Sequence, residues 1–129
     1  MAQEICLDTD VSIAILKGEK RAEPILIAIN DCKVSTTSIS VFELMLRDYN
    51  LEQVKFFLNG MVIHNFDHDA AIKASEIQKQ LKKEGKIVEF RDIFIASIAI
   101  LKNCELLTFN EKDFKSIKGL TIFNNGTGH

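Results

Sequence analysis

Glu4-Ile5-Cys6-Leu7-Asp8-Thr9-Asp10 is the stretch that decides the fold. Residues 4–7 read as a short apolar strand that runs directly into Asp8. A helical pattern over 10–17 follows at once, with Val11, Ile13, Ala14, Ile15 and Leu16, and stops at Gly18. The same order of strand, then polar or acidic residue, then helix returns along the chain. Strand 32–36 leads into a helix over 39–47 that carries Glu43, and strand 61–64 leads into a helix over 68–84. Strand 105–108 leads through Asn110 into a short helical turn at 111–116, and strand 120–123 closes the pattern. Strands alternating with helices imply a mainly parallel sheet covered on both faces. The expected fold class is therefore α/β, a three-layer α/β/α sandwich with about five strands.

The remaining helices fit that frame. One is expected over about 21–29, with Pro24 in its first turn, and one over 51–58, where Leu51, Val54, Phe57 and Leu58 share a face. Ala70, Ala71, Ala74, Ile77 and Leu81 make the apolar stripe of the helix 68–84, and Gly85 sits at its stop. Residues 92–102 are apolar on every side, which predicts a central buried helix, although the β-branched content would also suit a strand.

At 129 residues the chain has a single-domain length, expected as one unit over 1–123 with a disordered polar tail at 124–129. Its 47% apolar and 26% charged content are ordinary for a globular protein. No run is long enough to span a bilayer, and the early strand predicts no signal peptide. Cys6, Cys32 and Cys104 are odd in number and have no C-x-x-C spacing, so small core residues in a reducing cytoplasm are expected. The formal charge of −2 gives no global attraction to nucleic acid and does not exclude it. Basic groups at Lys17, Lys20 and Arg21, and at Lys79, Lys82, Lys83 and Lys86, read as solvated helix faces.

Asp8, Glu43 and Asp92 each fall at or near a helix start, and Asn110 follows a strand. Parallel strands would bring their carboxyl ends, and these four groups, into one crevice. Each has an ordinary alternative. Asp8, Asp92 and Asn110 are candidate helix caps, Ser40-x-x-Glu43 is a candidate capping box although Thr37 or Ser38 would open that helix earlier, and Asp113 is a further cap for the turn. Together, however, they form a carboxylate cluster without histidine or cysteine, which suits a hard divalent cation. The residues alone leave both readings open. His64 and His68 are four apart but straddle a strand end and a helix start, so no zinc site is expected from that pair. No G-x-S-x-G, Walker A or G-x-G-x-x-G occurs.

Asp8-Thr9-Asp10-Val11-Ser12 resembles the nucleophile loop of haloacid-dehalogenase-type phosphatases, but Thr108-Phe109-Asn110 lacks that family's later acidic pair. A second resemblance spans residues 4–123. Ile5 to Asp10, Thr36 to Leu44, Arg91 to Ala96 and Leu107 to Phe114 are similar, in order and spacing, to the successive motifs of PIN domains, and more narrowly of VapC toxins. That resemblance implies a Mg²⁺- or Mn²⁺-dependent endoribonuclease, usually a homodimer, inhibited by a cognate antitoxin that inserts a peptide near the active site. It implies Asp8, Glu43 and Asp92 as metal ligands, with Asn110 at a fourth catalytic position that is often aspartate. Phe109 stands where many relatives carry arginine, and Arg47 where a glycine is common. Thr9 and Thr108 are expected to hydrogen-bond the ligating carboxylates. A PIN domain that binds RNA or a partner without turnover is the alternative that Asn110 raises.

Overall fold

The computed structural model describes residues 3–124. Four parallel strands, β1 (Glu4–Leu7), β2 (Lys33–Thr37), β3 (Val62–His64) and β4 (Glu105–Leu107), form one sheet in the order β3-β2-β1-β4. The expected fifth strand at 120–123 is reduced to a single parallel bridge between Ile122 and Leu106. Two hydrogen bonds hold it, Leu106 N to Thr121 O at 2.9 Å and Phe123 N to Leu106 O at 2.8 Å. Gly119, at φ 88°, turns the chain into this segment only two residues earlier, so it has little length to extend the ladder.

Side chains on β1 and β4 alternate between two cores, as the period of a strand requires. Ile5, Leu7 and Leu107 pack with Val11 of α1 (Thr9–Lys17) and Ile25 of α2 (Glu23–Ala28). Cys6 and Leu106 face the other way, toward α5 (His68–Lys83) and α6 (Phe90–Leu101). Helices therefore cover both sheet faces, with α3 (Ser38–Met45) and α4 (Leu51–Asn59) completing the frame before the short α7 (Glu111–Phe114).

The ambiguous apolar run resolves as helix α6, with Ile93, Ile95, Ala96, Ile98 and Ala99 all buried. Each fully buried isoleucine contributes roughly 1.5–3 kcal/mol. Small residues explain why the helix prevails over the β-branched content. Ala96 and Ala99 share a core with Ala74 of α5, which lets the two helices approach closely. Beyond α6, Asn103 takes the left-handed conformation at φ 55° and Cys104 N reaches back to Ala99 O at 3.1 Å, closing the helix and aiming the chain into β4.

Glu84 ties the end of α5 to the C-terminal segment. Its carboxylate accepts from Gln80 at 2.5 Å and pairs with Lys118 at 3.0 Å and Lys86 at 3.1 Å. The Gln80 hydrogen bond and the two ammonium groups lower its pKa to about 2. A depressed carboxylate adds stability above its unfolded pKa and loses it as pH falls through the folded value. Glu84→Gln is expected to lower the melting temperature by a few degrees at pH 6–7, and the gap from wild type should close toward pH 2 in a thermal-melt series.

Candidate active site

Asp8 leaves β1 as the N-cap of α1 and is fully buried. Its Oδ1 accepts from Thr9 N at 2.8 Å and its Oδ2 from the Thr108 hydroxyl at 2.8 Å. Thr108 also accepts from Asn110 N at 3.0 Å, so one hydroxyl ties the ends of β1 and β4 together. Asp8 thus caps its helix from a buried position behind the cleft-lining Arg91, which it accepts from at 2.9 Å.

The capping readings of the other acids fail for local reasons. Helix α3 is capped by Thr37, whose hydroxyl accepts from Ser40 N at 3.2 Å, so the Ser40-x-x-Glu43 box does not form. Glu43 lies a turn further on, where its Oε1 accepts from the Thr9 hydroxyl and its Oε2 points to Arg91. Helix α6 begins at Phe90 after Glu89, which places Asp92 inside the first turn and not at the cap. Asn110 precedes α7 but its side chain makes no capping hydrogen bond, and Asp113 stands within that helix.

Apart from the buried Asp8, these groups meet at the carboxyl edge of the sheet, around an open cleft of about 600 Å³. Glu43, Asp92, Asn110 and Asp113 line it together with Asp10, Glu89, Lys112 and Arg91. Arg91 had no assigned role in the sequence reading, although it stands directly before Asp92. Its guanidinium sits at the centre of the cluster. Nη2 donates to Asp8 at 2.9 Å, Nε to Glu43 at 2.5 Å and Nη1 to Asp92 at 2.5 Å. Burial alone pushes the guanidinium pKa down, but the carboxylates of Glu43 and Asp8 outweigh it and hold the group above its ordinary value. Asp92 moves upward in turn. Burial raises it, the charges of Asp8 and Asp113 add to that, and Arg91 only partly offsets both.

One positive charge is thus shared by three carboxylates, which leaves an excess of negative charge in a partly buried site. Oxygen-only donors with no sulfur or nitrogen suit a hard divalent ion. The donor set of Asp8, Glu43 and Asp92 fits Mg²⁺ or Mn²⁺ on this ground. Fold and site together define a class: a parallel α/β domain with a carboxylate cluster at the carboxyl edge of its sheet.

Sequence comparison narrows that class. Residues 5–120 match the family model of the PIN domain, and the chain belongs to the PIN domain family. Among its relatives, Ribonuclease VapC1 of Methanocaldococcus jannaschii is 32% identical over 94% of this chain and 88% of its own length. Ribonuclease VapC3 of the same organism is 39% identical over 71% of this chain and 94% of its own. Among solved structures, DNA-bound VapBC from Salmonella typhimurium contains a chain that matches with a TM-score of 0.84 at 26% identity, covering 97% of this chain and 99% of that one. The expected α/β/α architecture is that of these proteins, and the phosphatase resemblance of Asp8-Thr9-Asp10 gives way to this family.

Proposed function

We propose that this protein is a divalent-metal-dependent endoribonuclease and the toxin of a VapBC-type toxin–antitoxin pair. The observation that carries the reading is the convergence of Asp8, Glu43 and Asp92, from three separate helices, on a single cationic group that lines an open cleft. Membership of the PIN domain family and similarity to VapC ribonucleases supply the reaction class.

In this reading Asp8, Glu43 and Asp92 hold Mg²⁺ or Mn²⁺. Bound there, such an ion supplies a polarised phosphoryl oxygen and a water of lowered pKa. The protein's own contribution is orientation. Thr108 fixes Asp8 and Thr9 fixes Glu43, so neither carboxylate has to be ordered when the substrate arrives. Arg91 and Lys112 line the cleft and offer donors to the phosphates of an RNA backbone. Asn110 brings an amide to the fourth position, which can lend an oxygen but no charge.

An antitoxin is the second partner, by analogy with the VapBC complexes. Phe42, Leu46, Phe56 and Phe90 are large apolar side chains left exposed, which suits both a protein partner and a homodimer. No helix among the described residues is long and apolar enough to cross a membrane. Cys6, Cys32 and Cys104 are all free. The domain is assigned to residues 1–123; of the 124–129 tail, only Asn124 falls among the described residues.

The test is cleavage of an RNA pool by the antitoxin-free protein in Mg²⁺, in Mn²⁺ and in excess chelator, with Asp92→Asn alongside. Cleavage that needs the metal and Asp92 supports the proposal. Metal binding without cleavage would instead favour a PIN domain that binds RNA without turnover, the reading that Asn110 favours. Asn110→Asp should tighten Mg²⁺ binding and steepen the dependence of rate on Mg²⁺, because a fourth charge strengthens a second metal position. An unchanged Mg²⁺ profile would place Asn110 outside the metal site.

A further inference from the structure

A second group of potential ligands lies away from the acidic cleft. Glu4 begins β1, His64 ends β3, and Cys104 joins α6 to β4. One ligating atom from each, a carboxylate oxygen, an imidazole nitrogen and a thiol sulfur, lies within 4.8 Å of the others. His64 Nε2 and Glu4 Oε2 are 2.5 Å apart, and their side chains are only 14% and 16% exposed. Cys104 is buried, and its thiol lies 3.9 Å from Ala99 O, to which it donates. The other Glu4 oxygen lies 3.5 Å from Lys33 Nζ, whose side chain is more than half exposed and free to swing away. Asp8 lies four residues further along β1, about 13 Å at roughly 3.3 Å per residue.

We propose that Glu4, His64 and Cys104 form a site for a borderline-soft divalent cation such as Zn²⁺, distinct from the carboxylate cluster. The donor set makes the distinction. Thiolate, imidazole and carboxylate are the ligands zinc takes, whereas Mg²⁺ prefers oxygen alone. A plain carboxylate–imidazole pair accounts for two of the three groups but not for a thiol sulfur within 4.8 Å of both. A cation here would cross-link β1, β3 and the α6–β4 junction, so its effect is on rigidity and stability. The proposal does not depend on the nuclease reading.

The probe is Co²⁺, a spectroscopically visible substitute for Zn²⁺, added to metal-free protein in excess Mg²⁺ so that the acidic cleft is already filled. The expected result is a thiolate-to-cobalt charge-transfer band that Zn²⁺ abolishes by displacement. The band should disappear in Cys104→Ser, while His64→Gln should weaken Zn²⁺ binding at least tenfold. Asp8→Asn should keep it. Zn²⁺ should also raise the melting temperature of wild type but not that of Cys104→Ser. Absence of the band in wild type, which needs no variant to fold, overturns the proposal. So does Zn²⁺ binding that survives Cys104→Ser and is lost in Asp8→Asn.

Discussion

Asp8→Asn is expected to lower metal-dependent RNA cleavage by about 10³-fold or more and to leave the fold intact. The residue is fully buried, and both of its carboxylate oxygens are already placed by Thr9, Thr108 and Arg91. Asparagine has the same shape. Its oxygen can still accept from Thr9 N and Arg91, and its amide can donate to the Thr108 hydroxyl, whose proton is free to rotate. What it cannot supply is the second anionic oxygen. Loss of one of three clustered negative charges also relieves repulsion, so the melting temperature in chelator should stay within a few degrees of wild type. Single-turnover cleavage assays and thermal melts on the same preparation read both effects. Substantial activity in Asp8→Asn would remove the residue from the reaction, and an unfolded variant would show that its capping role dominates.

Arg91→Gln has the largest expected effect on stability. Removing one partner from a buried ionic cluster costs about 3–5 kcal/mol because the opposing charges are left uncompensated. Arg91's side chain is 27% exposed, which discounts this to about 2–3 kcal/mol, or roughly 10 °C in melting temperature. The penalty has a pH signature. Burial and the charges of Asp8 and Asp113 already hold Asp92 above the ordinary carboxylate range, and loss of the guanidinium pushes it further. An acid whose folded pKa is raised destabilises the fold once pH climbs through that pKa. The Arg91→Gln deficit should therefore be largest at neutral pH in chelator and shrink as pH falls. Saturating Mg²⁺ should offset it, since a ligand at a hundred times its Kd adds about 2.7 kcal/mol. A variant as stable as wild type in chelator, or one that Mg²⁺ does not rescue, would show that Arg91 is not the counter-charge of this site.

How much of this was legible in the sequence follows from the range of each interaction. The strand Glu4–Leu7 and the helix His68–Lys83 were readable from periodicity, because local pattern and tertiary burial agree there. The approach of Asp8 and Glu43 was readable from topology, since β1 and β2 deliver their carboxyl ends to one edge, whereas Asp92 is brought there by α6, which follows α5 and no strand. Local capping rules misled at Asp92, whereas at Ser40 they already favoured an earlier helix start. Thr37 opens α3 three residues before Ser40-x-x-Glu43 could close its box, and α6 starts before Asp92. Arg91 escaped because its bond to Asp8 spans 83 positions and no spacing rule encodes it. His64 was weighed against His68, its neighbour in sequence, whereas its partner Glu4 lies 60 positions away. The fifth strand failed as an element because a segment starting just after Gly119 pairs at only one residue.

The central claim is that the guanidinium of Arg91 marks a divalent-cation site built by Asp8, Glu43 and Asp92. The most direct measurement is anomalous scattering from crystals soaked in Mn²⁺. A peak about 2 Å from carboxylate oxygens of Asp8 and Asp92, with the Arg91 guanidinium displaced from their midst, is the predicted result. Arg91 still bridging all three carboxylates at saturating Mn²⁺, with no peak in the cleft, would contradict it.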